Sequence, residues 1–445
     1  MGVLLRDFSV QGCAGASGEL PTLRRERKRE VRAAVYLLVV LTIGAYLPTP
    51  LYAGYQQAFG FSDLTMTLIF ATFALVTAPS LLLFGPAADA LGRRVVLRAS
   101  VIAAALASGC FALAEGPEWL FIGRAIQGVA LGAATAAATA LIAERDPDGN
   151  RSRASVVASM AFVGGTAAGP LVAGMLAEYA PLPLLLPYLA HLVLLSIGWH
   201  RVSALTASGA RASRWRPTRP HVPKGMRLRL GTAAGVGFLA WTVAGLFLAV
   251  IPAVLGRAAR IDNLALTGGI VAAVLVCSVL VLPFVPRCGP ETAQFVGLGA
   301  LLGSLLALAL TGGSSLPMTM AAAVAAGVGH GLAYGGAVAT IDATAPNGQR
   351  GSVNGAVYLA FYLGTGVPTV AVGLLTLEQP LTTAISWISA TAAALVPLIG
   401  AALAHANRTP KQAACSGDAA EPVSGGDSPA AGDQRRSRRE PFWLL

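Results

Sequence analysis

Charge is what this sequence has least of. Only 12% of its 445 residues are Asp, Glu, Lys or Arg, against about a quarter in soluble globular proteins. With a mean hydropathy of +0.65, that shortage excludes an ordinary water-soluble enzyme or binding module. Cysteine is sparse too: Cys13, Cys110, Cys277, Cys288 and Cys415 are scattered, with no C-x-x-C pair and no histidine at ligand spacing. The pattern speaks against a disulfide scaffold or a metal site and for buried apolar thiols, so neither metal nor cofactor is expected. Also missing are a Walker loop, H-E-x-x-H and G-x-S-x-G. Their absence disfavours an ATP-driven pump and the commoner hydrolases, and no enzyme is expected. Nor is a secretory signal expected, because the basic run RRERKREVR (24–32) precedes a segment long enough to span a bilayer.

What the sequence has in abundance is apolar runs of about 20 residues, the length that crosses a ~30 Å hydrocarbon layer as a helix. Twelve are predicted, at 33–53, 65–84, 95–114, 118–143, 154–177, 183–200, 230–253, 265–285, 293–311, 316–341, 352–376 and 382–404. The expected fold class is therefore an all-α polytopic membrane protein. Threading these spans places 29 of the 32 Lys and Arg on one side, together with both termini. Only Arg257 and Arg260 fall on the other side, and Arg124 lies within a span. Positive residues collect on the cytoplasmic face, so the net charge of +11 is a topology signal and no nucleic-acid partner is expected. The domains expected are a basic tail (1–32), a six-helix bundle (33–200), a cytoplasmic linker (201–229), a second bundle (230–404) and a disordered tail (405–445). Frequent Ala, Gly and Arg suggest a GC-rich bacterial gene, and hence the plasma (inner) membrane of a bacterium.

The two bundles repeat each other. Shifted by 199 positions, residues 128–182 match 327–381 at 18 of 55 places. PDGNR (147–151) falls on PNGQR (346–350), and AFVGGT (161–166) on AFYLGT (360–365). Copies six helices apart run in the same direction, giving two bundles related by a pseudo-two-fold axis along the membrane normal. Transporters of this design rock their halves about a midplane site.

The link between the second and third spans, GPAADALGRRVVL (85–97), sets Asp89, Arg93 and Arg94 beside Gly85 and Gly92. The glycines permit a tight reversal, Asp89 can accept hydrogen bonds from a helix N-terminus, and Arg93 can pair with Glu144. On the plainer reading these arginines are only inside-facing topology charges. The pattern resembles the G-x-L-a-D-r-x-G-r-k-x-x-l signature of the major facilitator superfamily, with Ala87 and Ala90 as departures. The resemblance implies a cytoplasmic latch built from Gly85, Asp89, Gly92, Arg93, Arg94 and Glu144, with Asp89 meeting the eleventh helix near Gly351. The corresponding loop of the second half, PRCGPET (286–292), lacks the pattern.

Two further stretches extend the resemblance. LFIGRAIQG (120–128) matches L-x-x-x-R-x-x-q-G; its Arg124 either snorkels to the interface or faces a polar cavity and tunes proton transfer. GTAAGPLVAG (165–174) resembles the antiporter motif g-x-x-x-G-P-x-x-G-G through Gly165, Gly169, Pro170 and Gly174, with Ala173 as a departure. YLPTP (46–50) is similar to the P-x-P ending of the first helix in twelve-span drug:proton antiporters. The resemblance spans residues 33–404 and implies cavity-lining helices one, four, seven and ten. These nominate Tyr46, Gln127, Trp241, His330 and Tyr334, joined by Tyr358 and Tyr362 on an aromatic face of the eleventh span. That face suits packing as well as ligand contact. The first span carries no carboxylate, so proton coupling falls to Arg124, His330, His191 or Asp63, with Glu115 another point of access near the outer surface. The function expected is a proton-coupled exporter of drug-like or amphipathic small molecules, acting as a monomer in the bilayer. A facilitator or importer of a small metabolite, or a sensor that no longer transports, stands as the alternative.

Overall fold

Residues 21–205, 226–258, 260, 262–344 and 350–417 are described by the computed structural model, and every regular element among them is a helix. Helix α1 (Pro21–Tyr46) stops where proline stops it. Leu47 N still donates to Ile43 O at 2.9 Å, but Pro48 has no N–H to continue the ladder. A single 3₁₀ turn (Thr49–Leu51) leads into α2 (Tyr52–Phe59). Helix α3 (Asp63–Leu91) is capped by the Ser62 side chain, which accepts from Thr65 N at 3.2 Å. Its end is Gly92, at φ 93°, a value open to glycine and strained for other residues. The first half continues with α4 (Arg93–Ala112), α5 (Pro117–Arg145), α6 (Arg151–Tyr179) and α7 (Leu186–Ser203).

The second half follows the same plan. Helix α8 (Arg227–Ala249) breaks into α9 (Ile251–Arg257) at Pro252, as α1 breaks into α2. Helix α10 (Leu264–Val281) passes through a 3₁₀ turn (Leu282–Phe284) into α11 (Val285–Cys288). Gly289, at φ 84°, turns the chain as Gly92 does. Helices α12 (Pro290–Thr311), α13 (Leu316–Thr344), α14 (Arg350–Leu375) and α15 (Leu381–Gly417) complete it. Among the described residues, eleven helical segments are long and apolar enough to cross a membrane. Helix α7 is the remaining long rod; His191, His200 and Arg201 dilute its apolar run.

Several boundaries move. Residues 21–32, expected in a tail, form the first turns of α1, and Glu30 is buried against Arg145 at 2.9 Å. Residues 405–417, expected to be disordered, extend α15. The reversal expected at Gly85 and Gly92 belongs to Gly92 alone, because Gly85 lies inside α3 with Ala136 Cβ 3.8 Å from where its own Cβ would stand. Cys110 and Cys277 are half-buried and Cys288 is exposed, so not all thiols are buried. Cys13, most of the linker and residues 418–445 lie outside the described residues.

Small residues set how closely the helices meet, as in membrane bundles generally. A Cβ on Gly165 would lie 2.5 Å from Val39 O on α1, and one on Gly364 would strike Phe238 O on α8. Between the halves, a Cβ on Gly174 of α6 would strike Leu264 O on α10. One on Gly373 of α14 would strike the Thr67 hydroxyl and come within 3.2 Å of Leu64 Cα on α3. Each contact recurs at an offset of 199 or 200 residues, so the repeat seen in the sequence is a repeat of packing.

Candidate substrate site and the contacts that enclose it

Aromatic rings from both halves meet at the centre. On the second half, His330 and Tyr334 stand one turn apart on α13 with rings stacked at 5.4 Å. Trp241 of α8 lies edge-on to both, at 4.8 and 5.9 Å. Phe361 of α14 continues the cluster at 5.6 Å from Tyr334 and 5.1 Å from Tyr358. Two ring contacts cross between the halves: Phe162 of α6 with Trp241 at 6.0 Å, and Phe73 of α3 with Tyr362 at 6.4 Å. Tyr46, at the end of α1, packs on Phe73 at 5.6 Å. The structure thus brings five of the nominated cavity residues, Tyr46, Trp241, His330, Tyr334 and Tyr362, into one buried cluster, with Tyr358 at its edge. Among the described residues, three polar atoms of the cluster lack a hydrogen-bond partner: Trp241 Nε1, His330 Nε2 and the Tyr362 hydroxyl. His330 Nδ1 is satisfied by Ser278 Oγ at 2.9 Å.

Arg124 and Gln127 lie elsewhere. The break at Pro48 leaves the Gly44 carbonyl without its helical donor, and Gln127 Nε2 supplies one at 2.9 Å. Arg124 Nη1 donates to the next carbonyl, Ala45 O, and to Gln127 Oε1 at 3.0 Å; its Nε donates to the Tyr52 hydroxyl at 2.7 Å. The guanidinium is wholly buried, within 6 Å of the rings of Tyr52, Phe70, Phe73 and Phe111. It points inward and does not snorkel, and among the described residues no carboxylate pairs with it. A cation at a helix C-terminus is favoured by the dipole, so this pair caps the broken first helix. His191 is likewise engaged at both ring nitrogens, with Ser108 Oγ at 2.8 Å and Val40 O at 3.0 Å.

Above and below the cluster the halves touch. At the Asp63 end, Arg257 of α9 forms a two-pronged pair with Asp63 of α3 at 2.8 and 2.9 Å, supported by Gln56 at 3.0 Å. Nearby, Glu178 of α6 accepts from Leu264 N of α10 at 2.8 Å. At the Asp89 end, Ser155 of α6 donates to Asp342 of α13 at 2.5 Å. Arg93 bridges Glu144 at 2.6 Å and Asp89 at 3.2 Å, all within the first half. Arg94 donates to Ser203 O at 2.6 Å on α7. The contact expected between Asp89 and residues near Gly351 lies outside the described side chains. Sequence reading missed Asp342, Ser155 and the pairing of Asp63 with Arg257. Their partners stand 187 and 194 residues apart, and only a register between the two copies connects them.

A chain of paired six-helix halves that surround one central cluster has the architecture of an alternating-access membrane transporter. The Major Facilitator Superfamily profile matches residues 34–369, and the chain belongs to that family. Among its relatives, the chloramphenicol resistance protein of Pseudomonas aeruginosa is 27% identical over 76% of this chain and 81% of its own length. The puromycin resistance protein of Streptomyces alboniger is 34% identical over 39% of this chain, and that alignment takes in only 34% of the relative's length. Among solved structures, a bacterial homologue of the human lysosomal transporter Spinster, inward-facing and unoccupied, superposes with a TM-score of 0.64. It is 17% identical over 88% of this chain and 98% of its own. The human organic anion transporter MFSD10 gives 0.62 at 16% identity, over 85% and 99% of the two chains. At these identities the structural likeness speaks to the fold alone.

Proposed function

We propose that this protein is a secondary exporter of amphipathic, drug-like small molecules, driven by protons moving the other way across a bacterial inner membrane. One observation carries the reading: a closed aromatic centre between the two halves in which the Trp241, His330 and Tyr362 polar atoms are unpartnered. Leaving such a group unmet costs about 1–3 kcal/mol, so a flat molecule with few polar groups that supplies those bonds is favoured over water-loving metabolites. The resistance relatives support the same class of cargo. The charge count of the loops supports cytoplasmic termini.

His330 is the proton carrier in this proposal. In the tautomer that gives Nδ1–H to Ser278, Nε2 is an open acceptor; protonation makes it a donor and sets a positive charge against the faces of nearby rings. A cationic cargo and that charge exclude one another, which is the condition for exchange. Arg124, His191 and Asp63 are held by structural bonds and serve packing and closure. Gly85, Asp89, Gly92, Arg93, Arg94 and Glu144 form the inner latch; of the antiporter stretch, Pro170 and Gly174 lie on the seam with α10 on which the halves swing, while Gly165 and Gly169 seat α6 on α1 of its own half. The test is a toxicity screen in an efflux-deficient bacterial host, paired with cargo flux in inside-out vesicles under an imposed pH gradient. Protection by the wild type but not by Asp89→Asn, with gradient-dependent flux, is the expected result. Gradient-driven uptake into right-side-out cells overturns the direction, and flux that ignores the gradient overturns the coupling.

A further inference from the structure

Helices α4 and α7 are pinned together at two levels, and a groove opens along their outer side between the pins. At one end Arg94 Nη2 holds Ser203 O at 2.6 Å; at the other Ser108 Oγ meets His191 Nδ1 at 2.8 Å. The pins are 14 residues apart along α4, or about 21 Å of helix. Between them runs a lipid-facing groove of about 400 Å³, lined by Ile102, Leu106, Leu192, Leu195 and Trp199, with the small Ala105 and the exposed Ser196 leaving room between the larger side chains. Its Arg94 end is distinctly cationic. The Arg98 guanidinium lies 4.3 Å over the Trp199 ring, and Arg94 Nε is buried without a partner. Neighbouring Arg93 and Arg145 have carboxylate partners, whereas among the described residues neither Arg94 nor Arg98 has one. Trp199 also marks the level where aromatic rings collect, at the boundary between hydrocarbon and headgroups.

We infer that this groove is a specific site for an acidic phospholipid, one acyl chain lying along Ile102–Ala105–Leu192 and the phosphate held by Arg98 beside Trp199. The charge decides the class: a zwitterionic lipid brings its own cation to a mouth already carrying two, while an anionic headgroup meets charge-assisted N–H donors. The proposed transport cycle uses Arg94 in its latch but neither Arg98 nor the groove wall, and the variants below touch only those, so failure of the site and failure of the exporter reading are separate outcomes.

The test uses the full chain, purified and delipidated in detergent, titrated with phosphatidylglycerol or phosphatidylcholine and read by native mass spectrometry. Wild type is expected to retain at least one phosphatidylglycerol and to prefer it about tenfold over phosphatidylcholine. Arg98→Gln is expected to erase the preference while leaving retention of either lipid at the phosphatidylcholine level. Ser196→Leu, which puts a bulky side chain into the groove and leaves the arginines in place, is expected to lose both lipids. Equal retention of the two lipids by wild type, or an unchanged preference in Arg98→Gln, overturns the headgroup assignment. Undiminished retention in Ser196→Leu overturns the groove as the place of binding, and a mass of two chains that disappears in that variant assigns the groove to a second copy instead.

Discussion

Adding one methyl group at Gly174 tests whether the α6–α10 seam is part of what holds the Asp63 end shut. The Cβ of Gly174→Ala would overlap the Leu264 carbonyl oxygen and come within 3.3 Å of Gly268 Cα. Both are backbone atoms on the opposite half, so no side-chain rotation relieves the overlap and the helices must separate. Overpacking of this kind costs about 1–3 kcal/mol. Because the clash exists only while the halves touch, the whole cost falls on the closed state, and the population of the opened state rises by about 5- to 150-fold. The assay is the rate at which an impermeant thiol reagent labels Thr67→Cys in a background without native cysteines. Thr67 is buried on the companion seam between α3 and α14, and it becomes reachable when that end opens. Gly109→Ala is the control, since a Cβ there meets nothing within 4 Å. Labelling that does not accelerate in Gly174→Ala, or that accelerates equally in Gly109→Ala, refutes the assignment of this seam to closure.

Four further outcomes follow from named contacts. Arg257→Gln should raise the same labelling rate severalfold, consistent with about 1 kcal/mol for a partly exposed pair, and the swap Asp63→Arg with Arg257→Asp should restore it. Arg124→Met should leave the Ala45 carbonyl unmet at a cost of about 1–3 kcal/mol, read as a lower melting temperature in detergent; Arg124→Lys should recover only part of it. His330→Gln should abolish cargo-induced proton flux in proteoliposomes while cargo exchange persists, whereas a His191 substitution should lower stability, because its ring fills the space beside Gly44. Glu144→Gln should weaken the hold on Arg93 and reduce protection in the toxicity screen by a factor that Asp89→Asn exceeds.

How much of this was readable beforehand depends on the range of the interaction. Helices and their order follow from local composition, and the repeat follows from comparing the chain with itself; both appear in the structure at the offset the sequence shows. Helix ends were harder to place. RRERKRE reads as a charged tail by hydropathy, yet its residues are good helix formers and carry α1 out to Pro21. YLPTP was read as the end of a span, although prolines interrupt a helix and leave carbonyls that something else must meet. The sequence marked Arg124 as unusual, but nothing local says that its partners are the carbonyls those prolines leave open. Asp63 and Arg257 each look like ordinary surface charges, and only the juxtaposition of the two halves makes them a pair.

The centre of this molecule is filled with its own aromatic rings. In this conformation those rings, meeting across the halves, occupy the space that a wet path between the two sides would need. On the proposed export reading, a passenger has to wedge apart neighbours that already fit one another, and a planar, ring-bearing shape does so with the least disturbance.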